Sequence, residues 1–274
     1  MIDLHTHTTA SDGRLSAAEL VTRARAAGVD VLSVTDHDTT SGCGPAAIAC
    51  SAEGVEFVPG IEITAVINGG DVHVLGYFVD PDREALRAFL ARQRRNRLVR
   101  VRQMIDRLAV SGIHLDAASI LQPAFDDPTK AVGRPWIARA LVAGGHVTTT
   151  DEAFDRWLAH DRPGYVPRSG ARPEEVIARI HEAGGVASLA HPGVAGRDDL
   201  IPALVAAGLD ALEAYHTDHD PETTTRYLGM ADRLGVVVSG GSDYHADDSH
   251  GGAGPGSVVL PPDRYEALKS RRRR

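Results

Sequence analysis

Cysteine, lysine and long apolar runs are all scarce in this chain, and each scarcity excludes something. Two cysteines in 274 residues, Cys43 and Cys50, cannot build a disulfide framework. Seven positions apart in alanine-rich sequence, they read as small core residues on one helix face. No window approaches the ~18 uninterrupted apolar residues of a membrane helix. Met1 to His5 offers neither a basic nor an apolar stretch, so no signal peptide is expected and a cytoplasmic location is the default. Lys130 and Lys269 are the only lysines, and the other 27 basic residues are arginine. With 37 acidic against 29 basic side chains the net charge is −8. That disfavours generic binding of double-stranded nucleic acid, which depends on neutralising phosphates. A small phosphorylated ligand needs only a local positive site and stays open. No Gly-x-x-x-x-Gly-Lys-Ser/Thr run occurs, so the glycine-rich stretch Gly251 to Gly256 is a loop and not a phosphate-cradling P-loop.

What the chain has in excess is histidine, 13 in all, several beside carboxylates in short apolar contexts. Histidine is the commonest metal ligand. Local patterns tell where these residues fall. Ile2-Asp3-Leu4 reads as a short strand. Ser16 to Ala27 reads as a helix, with Ser16 as N-cap, Glu19 three residues on, and Gly28 as the stop. Val29 to Thr35 is an apolar, β-branched strand. A helix over about Pro45 to Glu53 precedes two strands, Glu56 to Ala65 and Val72 to Phe78, joined by a hairpin signal at Asn68-Gly69-Gly70-Asp71. From Asp82 the pattern turns helical: Arg83 to Ser111, Arg134 to Ala143 and Glu152 to His160. After Tyr165 strands and helices alternate again, with strands at Gly185 to Ala190, Leu209 to Tyr215 and Val236 to Gly240. Repeated strand–helix units imply a parallel sheet, and about seven of them favour a closed or nearly closed barrel. The expected organisation is a barrel from residues 1–81 and 163–270, a helical insertion over 82–162, and a solvated basic tail at 271–274.

In such barrels the chemistry collects at the C-terminal strand ends. His5, His7 and Asp12 follow the first strand. Asp36-His37-Asp38 ends the second. Glu62 lies in the third and His73 in its hairpin partner. His191, the pair His216 and His219, and the pair Asp243 and His245 follow later strands. Any one of these histidines alone reads as a hydrogen-bonded surface residue. As a set, converging His, Asp and Glu side chains would titrate and repel one another unless cations balance them. His114, His146, His160, His181 and His250 fall outside this pattern.

The motifs Asp3-Leu4-His5-Thr6-His7, Thr35-Asp36-His37-Asp38, Gly60-Ile61-Glu62-Ile63, Ala190-His191-Pro192 and Gly241-Ser242-Asp243-Tyr244-His245 resemble the PHP (polymerase and histidinol phosphatase) superfamily. The resemblance runs in the family's order over nearly the whole chain. It is strongest to the stand-alone phosphoesterase branch that includes nucleoside 3′,5′-bisphosphate phosphatases and ribonuclease AM. It implies an α/β fold, a distorted (β/α)7 barrel with an inserted helical subdomain, and two to three divalent metal ions. One ion would take His5, His7, Glu62 and Asp243; a second Glu62, His73 and His191; a third Asp12, His37 and His245. Mixed imidazole and carboxylate ligation suits Zn²⁺, Mn²⁺ or Fe²⁺.

The resemblance also implies substrate groups. Arg134 in Gly133-Arg134-Pro135-Trp136 matches a phosphate-binding arginine, and Arg168 in Tyr165-Val166-Pro167-Arg168 stands where the family has lysine. His216 and His219 match a segment facing the leaving group, His219 being the candidate for phosphate binding or leaving-group protonation. Trp136 replaces a usual histidine and could stack on a base. The implied activity is hydrolysis of a nucleotide phosphate ester by hydroxide generated on the metals. The substrate would be a nucleoside 3′,5′-bisphosphate or the end of a short oligonucleotide, so short RNA is a possible partner. Histidinol phosphate and nucleoside monophosphates are the neighbouring alternatives. An amidohydrolase barrel would need a bridging lysine at a strand end, where none stands, and a non-catalytic PHP module would have lost ligands.

Overall fold

The computed structural model describes residues 1–67, 70–246 and 253–273. Asn68 and Gly69 of the hairpin turn, His250, Gly251, Gly252 and Arg274 lie outside the described residues. Seven strands form one sheet in chain order: β1 (Ile2–Asp3), β2 (Val31–Val34), β3 (Glu56–Ile67), β4 (Gly70–Tyr77), β5 (Val186–Leu189), β6 (Ala211–His216) and β7 (Val237–Gly241). β1 to β3 run parallel, as do β5 to β7, but β4 is antiparallel to both neighbours. The parallel order implied by the strand–helix alternation is interrupted there, where the expected hairpin pairing, and not a crossover, joins β3 to β4. The sheet curls until β7 reaches β1: Leu4 N–H donates to the Gly240 carbonyl at 3.2 Å, and Thr6 bridges Tyr244. Gly241 permits this closure, since a Cβ there would lie 2.3 Å from the His5 nitrogen. The result is a distorted, nearly closed seven-stranded α/β barrel.

Helices α1 (Ala17–Ala26) and α2 (Cys43–Glu53) follow β1 and β2. The expected cap of α1 is present: Ser16 accepts from Glu19 N–H and the Glu19 side chain accepts from Ser16 N–H. Cys43 and Cys50 are buried and unbridged on α2. Between β4 and β5 stand α3 (Glu84–Val110), α4 (Ala117–Asp126), α5 (Arg134–Ala143) and α6 (Thr150–Ala153), then α7 (Pro173–Glu182), which packs on the barrel. α8 (Pro192–Ala195), α9 (Ile201–Ala206), α10 (Pro221–Leu234) and α11 (Pro262–Lys269) complete the order. α4 escaped the sequence reading because Pro123 interrupts its pattern. The helix expected over Glu152 to His160 is only α6 followed by a π-helical turn, Phe154–Leu158.

One long helix joins two of the hydrophobic cores. Leu86, Phe89 and Leu90 near the start of α3 pack with Ile61, Ile63 and α7 on the outside of the barrel. Val101, Met104, Ile105 and Leu108 near its end belong to a separate core with Ile137 and Leu141 of α5. The tail is not simply solvated, contrary to expectation: the Arg273 guanidinium pairs with both oxygens of Asp210 at 3.1 Å. Among the described residues no helix is long and apolar enough to cross a membrane.

Candidate metal centre

Strand alternation decides what enters the barrel mouth. On β3, Ile61, Ile63 and Ala65 turn outward into the helix layer, leaving Glu62 facing inward. Its carboxylate is fully buried and meets five imidazoles. Oε2 lies 3.4 Å from His5 Nε2, 3.3 Å from His7 Nε2 and 3.0 Å from His37 Nδ1. Oε1 lies 2.7 Å from His73 Nδ1 and 3.1 Å from His191 Nε2. Asp243 Oδ1 joins the first group, 3.2 Å from His5 Nε2 and 3.1 Å from His7 Nε2. Asp12 gathers a second set, 3.5 Å from His37 Nε2, 3.4 Å from His245 Nε2 and 3.7 Å from His7 Nδ1. His191 and Asp243 hold left-handed backbone, at φ 27° and 54°, just past their strands.

These groups could hold metal. Among the described residues there are four sets in which one donor atom per residue lies within 4.8 Å of the rest: His7, Asp12, His37 and His245; His5, His7, Glu62 and Asp243; His5, Glu213 and His216; and His37, Glu62 and His73. Bonds of about 2.0–2.1 Å at tetrahedral angles put neighbouring ligand atoms roughly 3.3 Å apart, close to the spacings seen. Both nitrogens of His7, and Nδ1 of His37 and His73, are buried without a hydrogen bond of good geometry among the described residues. Burial alone would raise the carboxylates, yet the surrounding imidazoles hold Glu62, Asp12 and Asp243 well below their usual range. Burial drives His37 well below its ordinary value. His7, which burial would also lower, is instead pushed up to about 10 by Asp243 and Glu62. A bound cation removes this conflict, because imidazoles then stay neutral and carboxylates ionised.

The outer partners fix tautomers. His5 Nδ1–H donates to Glu213 Oε1 at 2.9 Å, which turns the Nε2 lone pair toward Glu62 and Asp243. His245 Nδ1–H donates to the Asp243 carbonyl at 2.8 Å, leaving Nε2 for Asp12. Sequence reasoning missed Glu213. It stands three residues before His216, and odd spacing in a strand sends side chains to opposite faces. The register of β6 slips between Glu213 and Tyr215, a bulge that restores the parity, so both Glu213 and His216 turn inward and are buried.

His216, expected at the substrate, lies within the cluster: its Nε2 is 3.5 Å from Asp243 Oδ2, while its Nδ1 accepts from Asp218 N–H. That tautomer carries its proton on Nε2, facing Asp243. His219 does not join the cluster. Its Nδ1–H donates to the Ala214 carbonyl at 3.0 Å and its Nε2 accepts from Gly193 N–H at 3.1 Å. Both nitrogens are committed to backbone, so in this geometry neither offers a proton to a leaving group. Asp36 and Asp38 do not orient His37. Asp36 accepts from Thr8 and Ser11, and Asp38 pairs with Arg97.

Two of the expected substrate groups sit together on the rim. Arg168 Nε lies 3.2 Å and Arg134 Nη2 3.6 Å from the two oxygens of Asp71, which stands two residues before His73 on β4. Arg100 of α3, unmarked in the sequence, is buried beside them; burial and then Arg134 lower its pKa to about 10. Trp136, two residues after Arg134 on α5, reaches the loop that carries Asp12. Its Nε1–H donates to the Ser11 carbonyl at 2.9 Å, and its ring lines a cleft of about 300 Å³ with Lys130 and Arg139. Neither lysine reaches the cluster: Lys130 lies in the insertion and Lys269 pairs with Glu56 at 2.8 Å.

The profile of the PHP domain matches residues 3–133. The 3′,5′-nucleoside bisphosphate phosphatase of Chromobacterium violaceum is 36% identical over 272 residues, 95% of this chain and 93% of that protein. The 5′-3′ exoribonuclease Rnm of Salmonella typhimurium is 37% identical over 254 residues, 89% of this chain and 84% of that one. A solved structure from Bifidobacterium adolescentis, described as a metal-dependent phosphoesterase, superposes with a TM-score of 0.89 at 34% identity, covering 98% of this chain and 95% of that one. Similarity along almost the whole length and a His/Asp/Glu cluster at the mouth of a seven-stranded barrel lead to one conclusion: the chain belongs to the PHP family and is a metal-dependent phosphoesterase, a hydrolase.

Proposed function

We propose that the enzyme hydrolyses a phosphate ester of a nucleotide that carries a second phosphate, a nucleoside 3′,5′-bisphosphate or the end of a short oligonucleotide. The observation that carries this is the pairing of two sites. One is the histidine-rich cluster around Glu62, which would hold the phosphate being cleaved. The other is the arginine rim of Arg134 and Arg168 converging on Asp71, beside His73. The rim would have no ligand in a simple monophosphate.

The nine residues His5, His7, Asp12, His37, Glu62, His73, His191, Asp243 and His245 would hold the metals, with Glu62 shared between ions. Divalent ions there would polarise the phosphoryl oxygens and supply an activated water. Charge supports two to three of them. Four buried carboxylates touch the imidazoles: Asp12, Glu62, Glu213 and Asp243. Two divalent ions balance those charges, and a third leaves a surplus suited to a phosphate dianion. The chain's own groups do the rest. Glu213 holds His5 in register, His216 faces Asp243, and the arginines bind and orient the distal phosphate.

The test is Arg134→Ala with two substrates. Losing a charge-assisted hydrogen bond, ~1.5–3 kcal/mol, should raise KM for a nucleoside 3′,5′-bisphosphate about 10- to 100-fold. The effect on the matching mononucleotide should stay under about threefold. Equal kcat/KM for the two substrates in the wild type, with the variant affecting both alike, would overturn the assignment.

A further inference from the structure

Three consecutive backbone carbonyls of the loop that carries Asp12 are captured by the helical insertion. Ala131 N–H donates to the Ala10 carbonyl at 3.0 Å, Trp136 Nε1–H to the Ser11 carbonyl at 2.9 Å, and Arg139 Nη1–H to the Asp12 carbonyl at 3.1 Å. Trp136 and Arg139 both come from α5, a helix anchored in the insertion's own core through Ile137, Ala138 and Leu141. From the barrel side the same loop is gripped by Asp36, which accepts from Thr8 N–H at 2.8 Å, from the Thr8 hydroxyl at 2.6 Å and from the Ser11 hydroxyl at 2.6 Å. Gly13 closes the turn where a Cβ would lie 2.4 Å from the His7 carbonyl. The Asp12 carboxylate therefore stands at the junction of two separately packed bodies. Its position relative to His37 and His245 depends on both.

We propose that Trp136 and Arg139 are positioning residues for the ion held through Asp12, so that the insertion, and not the barrel alone, sets the affinity of that one metal site. Three features support this. Consecutive carbonyls leave the loop little freedom to rotate while all three bonds hold. Two of the three donors are side chains on one rigid helix. The donors reach the backbone at and beside Asp12 and leave its carboxylate free to face the imidazoles. The cluster around Glu62 has a different support, Glu213 on β6, so the two parts of the centre should respond to different substitutions. The same helix begins with Arg134, which places the anion-facing arginine and the support of Asp12 on one ten-residue element.

This inference rests on reading Asp12 as a metal ligand, and the experiment separates the two. With Mn²⁺ as the only added metal, ions bound and their affinities are measured by chelator competition for Trp136→Phe, Arg139→Met, Asp12→Asn and the double variant Trp136→Phe/Asp12→Asn. Metal-free unfolding is followed in parallel. In a Trp157→Phe background Trp136 is the sole indole, and its emission should change as the ion held through Asp12 binds. Asp12→Asn should abolish that change. Trp136→Phe and Arg139→Met should each weaken one ion by about tenfold or more and leave the others within twofold. The double variant should be no worse than Asp12→Asn alone, because both act on one site. If Asp12→Asn removes an ion while Trp136→Phe and Arg139→Met keep every affinity within twofold, the positioning role is wrong and the ligand reading stands. Weakening of all ions together, with a lower metal-free melting temperature, would also overturn it, as a general loosening of the fold. If Asp12→Asn keeps every ion, the ligand reading itself falls and takes this inference with it.

Discussion

Glu213→Gln is the most informative perturbation of the centre, because it keeps the shape and removes one acceptor. Glu213 is fully buried, and each oxygen accepts from a different buried donor: Oε1 from His5 Nδ1–H at 2.9 Å and Oε2 from His191 N–H at 2.7 Å. An amide has one oxygen for these two donors. Whichever way it turns, its NH2 faces an N–H, and an unsatisfied buried donor costs about 1–3 kcal/mol. The bond that survives loses its charge assistance, about 1 kcal/mol more. The total, roughly 2–4 kcal/mol, falls on His5 and on the backbone of His191, both of which face Glu62. Every 1.4 kcal/mol is about tenfold in affinity, and part of the strain will relax, so metal affinity should fall about 10- to 100-fold. Chelator competition measures this directly. Activity should be low at limiting metal and recover as metal is added. Wild-type affinity in the variant would refute the reasoning. So would a loss of kcat at saturating metal with affinity unchanged, since Glu213 would then act on the reaction and not on the ligands.

Other outcomes follow from single features of the structure. Glu62→Ala removes the carboxylate shared by five imidazoles, so turnover should vanish and bound metal should drop in elemental analysis, with the circular dichroism of a folded barrel retained. Gly241→Ala would put a Cβ 2.3 Å from the His5 nitrogen and should prevent stable barrel closure, read as insoluble protein or a melting temperature lower by roughly 10 °C or more. Asp210 accepts from His181, Arg273 and Ala187 N–H; burial pushes its pKa up, but these donors outweigh it and hold the pKa below the ordinary value. Its stabilisation is therefore complete above the unfolded value of about 3.9 and disappears as pH falls through the lower folded value. Asp210→Asn should then lower the unfolding midpoint at pH 7, and the gap to the wild type should narrow as the pH is taken below about 3.9.

The strand ends were legible in the sequence, and what faces what across the barrel was not. His5, His37, His191 and Asp243 could be placed because apolar runs end just before them, and a closing sheet brings such ends together whatever their separation along the chain. That rule carries no information on azimuth. His216 and His219 sit three residues apart past the same strand, yet one faces Asp243 and the other spends both nitrogens on backbone. Glu213 depended on a bulge, which one extra residue creates without any local signature, and the alternation rule sends it to the wrong face. The contacts of the insertion were hidden for a different reason. Trp136 and Arg139 meet Ser11 and Asp12 across more than 120 residues of chain, and that meeting is set by how an independent core seats on the barrel. The residue types that gather in the cluster are thus written locally, while their placement depends on packing between bodies. Sequence patterns alone can therefore find a candidate metal centre of this kind more readily than they can say which of its side chains face one another.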